Sequence, residues 1–342
     1  MSSTRTGFGG AQLLDWLGAG DPGLEARLRR RAAEAERRLQ ACAATAHDAF
    51  TAEVVGYLVA AGGKRLRPVL ALLGAEFGDP ATGRAEDAAV IVELVHVASL
   101  YHDDVMDQAP TRHGVSSVNH RWGNGLAVYA GDWLLAKAAQ LAADLGQAAA
   151  VMNAQAANRL VDGQIRELAG PAPGEDPLDH YFAVISGKSA ALISMALCMG
   201  AVQADAGEPV VAALAEYGEQ LGVAFQISDD LLDITSPTAL LGKEQGKDLA
   251  VGVASLPVLL ALGDERPHGR ELRRLLVDGG TPDTAARGRA LELLAASPAM
   301  TEARALMDER LARARQALES LSEQPALKVL DALCDFVALR TA

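Results

Sequence analysis

Two apolar stretches of this 342-residue chain end in the same acidic pattern. Val90 to Tyr101 leads into Asp103-Asp104-Val105-Met106-Asp107, and Leu221 to Ile227 leads into Asp229-Asp230-Leu231-Leu232-Asp233. The segments 84–107 and 207–233 are apolar almost all the way round a helical wheel, as suits helices enclosed by other helices. Residues four apart on a helix lie about 40° from each other around its axis. Asp103 with Asp107, and Asp229 with Asp233, therefore each form a carboxylate pair on one face. Six carboxylates at the ends of two core helices repel one another and hold their protons more tightly unless a cation sits among them. All-oxygen ligands without a nearby His or Cys cluster favour Mg2+, which keeps waters and takes few carboxylates together with substrate phosphates. One such motif alone reads better as a solvated acidic helix end. Two in matching apolar settings favour a metal site shared by two helix ends.

The remaining punctuation is that of a helix bundle. Prolines bracket segments of helical length, and the spacing predicts helices at about 23–60, 68–77, 84–107, 126–144, 147–168, 177–201, 207–233, 254–263, 282–296, 299–321 and 325–340. Half of the residues are apolar and only 4% aromatic, a composition suited to closely packed helices. No strand alternation and no Gly-Ser linker is visible, so the expectation is one all-α domain over 23–342 behind a flexible segment at 1–22. The formal charge of -13 argues against general nucleic-acid binding. Cys42, Cys198 and Cys334 have no CxxC spacing and read as buried thiols in a reducing cytosol. The first twenty residues lack the apolar core of a signal peptide, and no uninterrupted apolar stretch is expected to span a membrane. These features together predict a cytoplasmic protein.

A protein this acidic can handle anions only through local cations, and these are legible. Gly62-Gly63-Lys64-Arg65-Leu66-Arg67-Pro68 puts three cations in a Gly-flanked turn ahead of a helix. Arg offers a planar fork to phosphate, Lys a mobile point charge, and the helix N-terminus adds backbone N–H groups. Thr111-Arg112-His113-Gly114 follows the first acidic motif, and Gly242-Lys243 and Gly246-Lys247-Asp248 follow the second. Lys188, in Gly187-Lys188-Ser189, lies in an otherwise apolar helix, where it needs an anion or a path to water. Each cluster alone could be surface charge. Alternating acidic and basic motifs describe a site for two diphosphates, one bridged by Mg2+ and one held by Lys and Arg.

At this point the sequence resembles the trans-type isoprenyl diphosphate synthases, or polyprenyl synthetases, most nearly the bacterial medium- and long-chain members. The resemblance is carried by GGKRLRP at 62–68, HDDVMD at 102–107, GDWLLA at 131–136, GKSAAL at 187–192 and FQISDDLLD at 225–233, in the family's order. It implies an all-α bundle around a deep central cavity, usually a homodimer, that joins isopentenyl diphosphate to an allylic diphosphate. It further implies that Asp103, Asp107 and Asp229 ligate Mg2+, three ions once substrate is bound, while Asp104, Asp230, Asp233, Glu167 and Asp248 orient metal-bound waters. Arg112, Lys188 and Lys243 would grip the allylic diphosphate. Lys64, Arg67 and His96 would hold the isopentenyl diphosphate without metal. Gln226, Ser189 and the backbone near Lys188 would point dipoles at the developing carbocation. His113 stands where the family usually has a second Arg, which implies a weaker anion contact. Val253 and Ser255 replace a common Lys and Thr.

Product length is read from the helix carrying Asp103. Ser99 and Ala98 lie roughly 6–8 Å below that carboxylate, one to two isoprene units deep. In the family, bulky aromatics at these places stop growth at farnesyl or geranylgeranyl length. Ala98 and Ser99 are small, Val95 and Val92 below them are modest, and the first acidic motif has no two-residue insertion. A product longer than C20 is expected. Alternatively, the small residues only permit close helix packing and the product is farnesyl or geranylgeranyl diphosphate. A class I terpene cyclase would show a different second metal motif and would not need GGKRLRP. A non-catalytic partner subunit would have lost Asp residues, and all six are intact.

Overall fold

The structure is a computed structural model that describes residues 14–15, 21–235, 245, 246, 249, 252, 255–278 and 283–340. Helix starts follow their caps. Asp21 accepts a hydrogen bond from the Leu24 N–H and opens α1 (Pro22–Ala43), while Asp48 does the same from Thr51 and opens α2 (Ala49–Ala60). The single helix expected at 23–60 is therefore two, because Asp48 supplies an N-cap in mid-segment. Then come α3 (Leu66–Ala75), α4 (Ala85–Met106), α5 (Val118–Trp122), α6 (Asn124–Leu145) and α7 (Gln147–Ala169). Thr111–Arg112 pairs with Val115–Ser116 as a two-residue antiparallel hairpin, a small departure from the strand-free expectation.

The segment expected as one helix at 177–201 is α8 (Pro177–Ile185), a π-helical turn (Ser186–Ala190) and α9 (Ala191–Gln203). It continues to α10 (Glu208–Thr235) and α11 (Leu256–Leu262). A short α12 (Pro267–Arg273), which the proline pattern did not suggest, precedes α13 (Thr284–Ala295), α14 (Pro298–Leu318) and α15 (Pro325–Arg340).

The core forms around α4, α9 and α10. α4 packs on α3 and α6, α9 on α3 and α10, and α10 on α14. Small residues set these distances. A Cβ on Gly74 of α3 would lie 2.2 Å from the Leu197 carbonyl oxygen, and one on Gly200 of α9 would lie 1.8 Å from that of Ala71. Any larger residue would push α3 and α9 apart. Tyr101, fully buried near the end of α4, donates to the Val54 carbonyl at 2.8 Å and accepts from the Leu58 N–H at 3.2 Å, which ties the helix to α2.

Contrary to the membrane expectation, the run Pro177–Gln203 is long and apolar enough to cross a bilayer. Its most apolar window is 67% buried inside the bundle, as a central helix of a large core would be.

Candidate active site

α4 delivers the first acidic motif. Between Ala85 and Tyr101 its burial is broken only at Asp87, His96, Ser99 and Leu100. His96, Ser99, Asp103 and Asp107 are spaced three, four and four apart, so the less buried positions share one face of the helix. Burial pushes Asp103 up to about 6; Lys188 pulls the other way and Asp107 reinforces the rise. Asp104 points inward and has no exposure. Arg112 donates to its Oδ1 through Nε at 2.9 Å and Nη2 at 2.5 Å, and the Asn119 amide donates to its backbone carbonyl at 2.9 Å. The buried Asp104 Oδ2 has no hydrogen-bond partner. Arg112, assigned to the allylic diphosphate, thus rests on a carboxylate at the mouth of the same site.

α10 delivers the second motif, with support from distant chain. Asp230 is buried and accepts from the Tyr181 hydroxyl at 2.7 Å, the Leu256 N–H at 3.0 Å and the Gln226 amide at 3.1 Å. Ser189 donates to the Gln226 carbonyl oxygen at 2.7 Å, so Ser189, Gln226 and Asp230 form one oriented chain. Ser255, buried at the start of α11, precedes the N–H that holds Asp230. Asp229 receives Arg340 at 2.6 Å; the same guanidinium donates to the Ser228 hydroxyl at 3.0 Å and lies 4.5 Å from the Phe225 ring centre. Asp233 is buried on the same helix.

Lys188 reaches this cavity because of the π turn. The extra residue in the turn brings Gly187 so close to α7 that a Cβ there would meet the Arg159 carbonyl at 2.6 Å. Lys188 then pairs with Glu167, which also accepts from Gln164 at 3.2 Å.

The 62–68 motif does not stay in a turn ahead of the helix as expected: Lys64 and Arg65 precede α3, and Arg67 already lies in its first turn. Lys64 is exposed and Arg67 half-buried. Burial lowers Arg67, while Glu93 and Asp229 act in the other direction. His96 is held well below its ordinary value by burial first, then by Arg67, His113, Arg65 and Arg112. A neutral imidazole ringed by cations marks a place built for an anion. His113 is exposed, and its Nδ1 lies 2.9 Å from the Gly62 carbonyl oxygen.

Of the chain-length positions, Ser99 keeps accessible surface and donates to the His96 carbonyl at 2.8 Å. Ala98, Val95 and Val92 are at most 1% exposed. Lys243, Asp248 and Val253 lie outside the described residues.

No three carboxylate, imidazole or thiol groups among the described residues are arranged to hold a metal by themselves. The protein offers Asp103 with Asp107 at the end of α4, and Asp229 with Asp233 near the end of α10. This donor set fits Mg2+, which uses one or two carboxylates and completes its shell with water and phosphate.

Comparison with known proteins identifies the family and the fold. Residues 48–293 match the model of the family described as polyprenyl synthetase. The chain belongs to the polyprenyl synthetase family. This synthetase is 39% identical to the nonaprenyl diphosphate synthase of Mycobacterium tuberculosis over 86% of its own length and 88% of the relative's. It is 36% identical to heptaprenyl diphosphate synthase component 2 of Geobacillus stearothermophilus, over 84% and 89%. Its fold matches the geranylgeranyl pyrophosphate synthase of Corynebacterium glutamicum, solved with calcium and isoprenyl diphosphate. That match has TM-score 0.85 at 38% identity and covers 94% and 98% of the two chains. The synthetase is thus an all-α prenyltransferase, as the motifs implied.

Arg340, Tyr181 and Asn119 were not among the site residues expected from the sequence, and neither was Gly131. Arg340 sits alone at the end of the last helix, and nothing in its neighbourhood signals a distant Asp. Gly131 did carry a signal, as the first residue of GDWLLA. A Cβ there would stand 2.4 Å from His102 Nε2, and that ring lies 3.3 Å from Asp132 and 3.2 Å from the Val128 carbonyl.

Proposed function

We propose that this synthetase condenses isopentenyl diphosphate head-to-tail with an allylic diphosphate and repeats the step to a trans-polyprenyl diphosphate longer than C20. The observation that carries the reading is that α4 sets Asp103 beside Asp107, Lys188 and Arg112 and, two turns earlier, His96 beside Arg67. Asp103, Asp107 and Asp229 are the metal ligands in this reading, with Asp104, Asp230, Asp233, Glu167 and Asp248 around them. Bound Mg2+, three ions in the substrate complex, would neutralise charge on the departing diphosphate. Arg112, Lys188 and Lys243 hold that diphosphate. Lys64, Arg67 and neutral His96 hold isopentenyl diphosphate, and His113 flanks them.

The C–O bond of the allylic partner breaks, its electron pair leaving with the diphosphate. The isopentenyl double bond then attacks the allylic cation, and a proton is lost to the departed diphosphate. Ser189 and Gln226, already oriented by Asp230, place their dipoles toward that cation. Exclusion of water and fixed alignment of the partners do the rest.

The names of the nonaprenyl and heptaprenyl relatives support a long product. A shorter product is the second reading, favoured by the tight burial of Ala98, Val95 and Val92 and by the geranylgeranyl synthase of like fold. A cytoplasmic homodimer completes the proposal. Tyr129, Val161, Ile165 and Leu168 leave apolar surface open on α6 and α7, where a second copy would cover it. The test is product analysis of the purified protein with Mg2+, labelled isopentenyl diphosphate and geranyl, farnesyl or geranylgeranyl primers. A ladder passing C20 supports the proposal; a stop at C20 selects the second reading; no elongation with any primer overturns both.

A further inference from the structure

The 62–68 segment carries three cations, Lys64 and Arg65 ahead of α3 and Arg67 in its first turn, and Arg65 is held by carboxylates. Arg65 has φ 48 and ψ 33, the left-handed region that a residue with a side chain rarely adopts. Its guanidinium donates to Glu36 on α1 at 2.8 and 3.1 Å, to Glu93 on α4 at 2.8 Å, and to the Val59 carbonyl on α2 at 2.8 Å. One side chain thus ties three helices to the residue that precedes α3. Glu93 is only 4% exposed in its side chain, and it lies one turn before His96 on the same helix.

A cavity of about 390 Å³ lies beside the loop, lined by Arg65, Gly62, Gly63, Glu36, Glu93 and Leu39 among others. From the front, His113 closes on the Gly62 carbonyl oxygen at 2.9 Å. A Cβ on Gly63 would stand 3.3 Å from Arg65 Nη1 and 3.5 Å from the His113 ring. The loop is therefore gripped between an ion-paired strut and an imidazole, with open space on the strut's side.

We propose that Arg65 is a positioning residue for the isopentenyl diphosphate site, fixing the left-handed turn that presents Lys64 and Arg67, with His113 as the opposing strut. The inference rests on the reading that Lys64 and Arg67 hold that diphosphate. Consecutive side chains diverge from the backbone, so pinning Arg65 to Glu36 and Glu93 decides where its neighbours point. Lys keeps the charge of Arg65 but has no fork, so it cannot satisfy two carboxylates and a carbonyl together. The geometry of the loop should loosen while the bundle persists.

The experiment measures Tm and separate KM values for isopentenyl diphosphate and farnesyl diphosphate in Arg65→Lys, Glu93→Gln, Glu36→Gln and Arg67→Ala. Arg65→Lys should raise the isopentenyl KM roughly tenfold, as small misplacements of binding groups do, and leave the farnesyl KM within about twofold. The two Glu variants should move the isopentenyl KM the same way by about three- to fivefold, the cost of a weakened charge-assisted bond. Equal changes in both KM values, or a lower Tm with no KM change, would reduce Arg65 to a fold stabiliser and sink the proposal. A shift in Arg65→Lys with none in either Glu variant would make Arg65 a phosphate ligand and overturn the strut. If Arg67→Ala leaves the isopentenyl KM unmoved, the underlying reading of the loop fails, whatever Arg65 does.

Discussion

The two acidic helix ends have the same spacing and nearly opposite support. Asp104 is held by Arg112 and Asn119, 8 and 15 residues further along the chain. A two-residue hairpin at 111–116 is enough to turn Arg112 back. Asp230 depends on Tyr181 and Leu256, 49 and 26 residues away, and Asp229 on Arg340, 111 residues away. One lip of the cavity is assembled by its own neighbourhood. The other is complete only when α8, α11 and α15 have docked. A sequence motif can therefore repeat while its dependence on the rest of the fold does not, and damage far from the cavity should reach the second lip first.

The sharpest tests act on activity at the two lips. Asp103→Asn and Asp229→Asn should each lower kcat by about a thousandfold or more, because each removes a carboxylate proposed to ligate the metal where charge develops. Single-turnover rates with saturating Mg2+ would measure this, and a loss confined to one lip would break the symmetry of the motifs. Next in size is Arg112→Ala, which strands a buried carboxylate and should cost about 3 kcal/mol in denaturant unfolding. Arg340→Ala should cost less, about 1–2 kcal/mol, since its partner Asp229 has a side chain 41% exposed and can be hydrated. If the loss of Arg340 proves the larger, the first lip is not the more self-contained one in energetic terms.

A smaller effect is set by pH. Asp103 sits near 6 in the folded chain against an ordinary 3.8. Between those values the unfolded chain releases the proton and the folded chain keeps it, so this group's contribution to stability falls as pH rises through the window. Asp103→Asn should raise the Tm of the metal-free protein more at pH 7.5 than at pH 4.5, and an equal shift at both would refute the assignment. The smallest expected change is one of product distribution. Ser99→Phe, on the open face of α4, should shorten the ladder without abolishing turnover, while an unchanged ladder would move the cavity floor to another helix.

The sequence was legible where a feature is local and repeated. The spacing within Asp103–Asp107 and Asp229–Asp233 fixes which carboxylates share a face whatever surrounds them, and the prolines located most helices. It was least legible where a side chain must choose among distant partners. Three cations in Gly62–Pro68 read as one basic patch, yet Arg65 is claimed by Glu36 and Glu93, residues that look like ordinary surface acids in a list. Arg340 gave no warning because a basic residue in a last helical turn is expected on dipole grounds alone. The break at Asp48 could have been found, since an Asp three residues before Thr51 is a capping signal. Asp104 and Asp230 were set apart from Asp103 and Asp229 only by the family resemblance, and burial gives the physical reason, since both point inward.

The turn at Ser186–Ala190 has a consequence for how such chains can change length. A π turn is an α-helix carrying one surplus residue, and each residue of a helix advances about 100° around the axis. Deleting one position there could heal the helix into a regular one without opening a gap. The widened turn already absorbs the surplus residue, so the two flanks would keep their phase and only the side chains of the turn itself would shift by that angle. Lys188 and Ser189 would leave Glu167 and Gln226, while α8 and α9 kept their apolar character. A single-codon deletion at this spot would thus yield a well-folded protein with a dismantled site, whereas the same deletion in α9 would throw core residues out of phase.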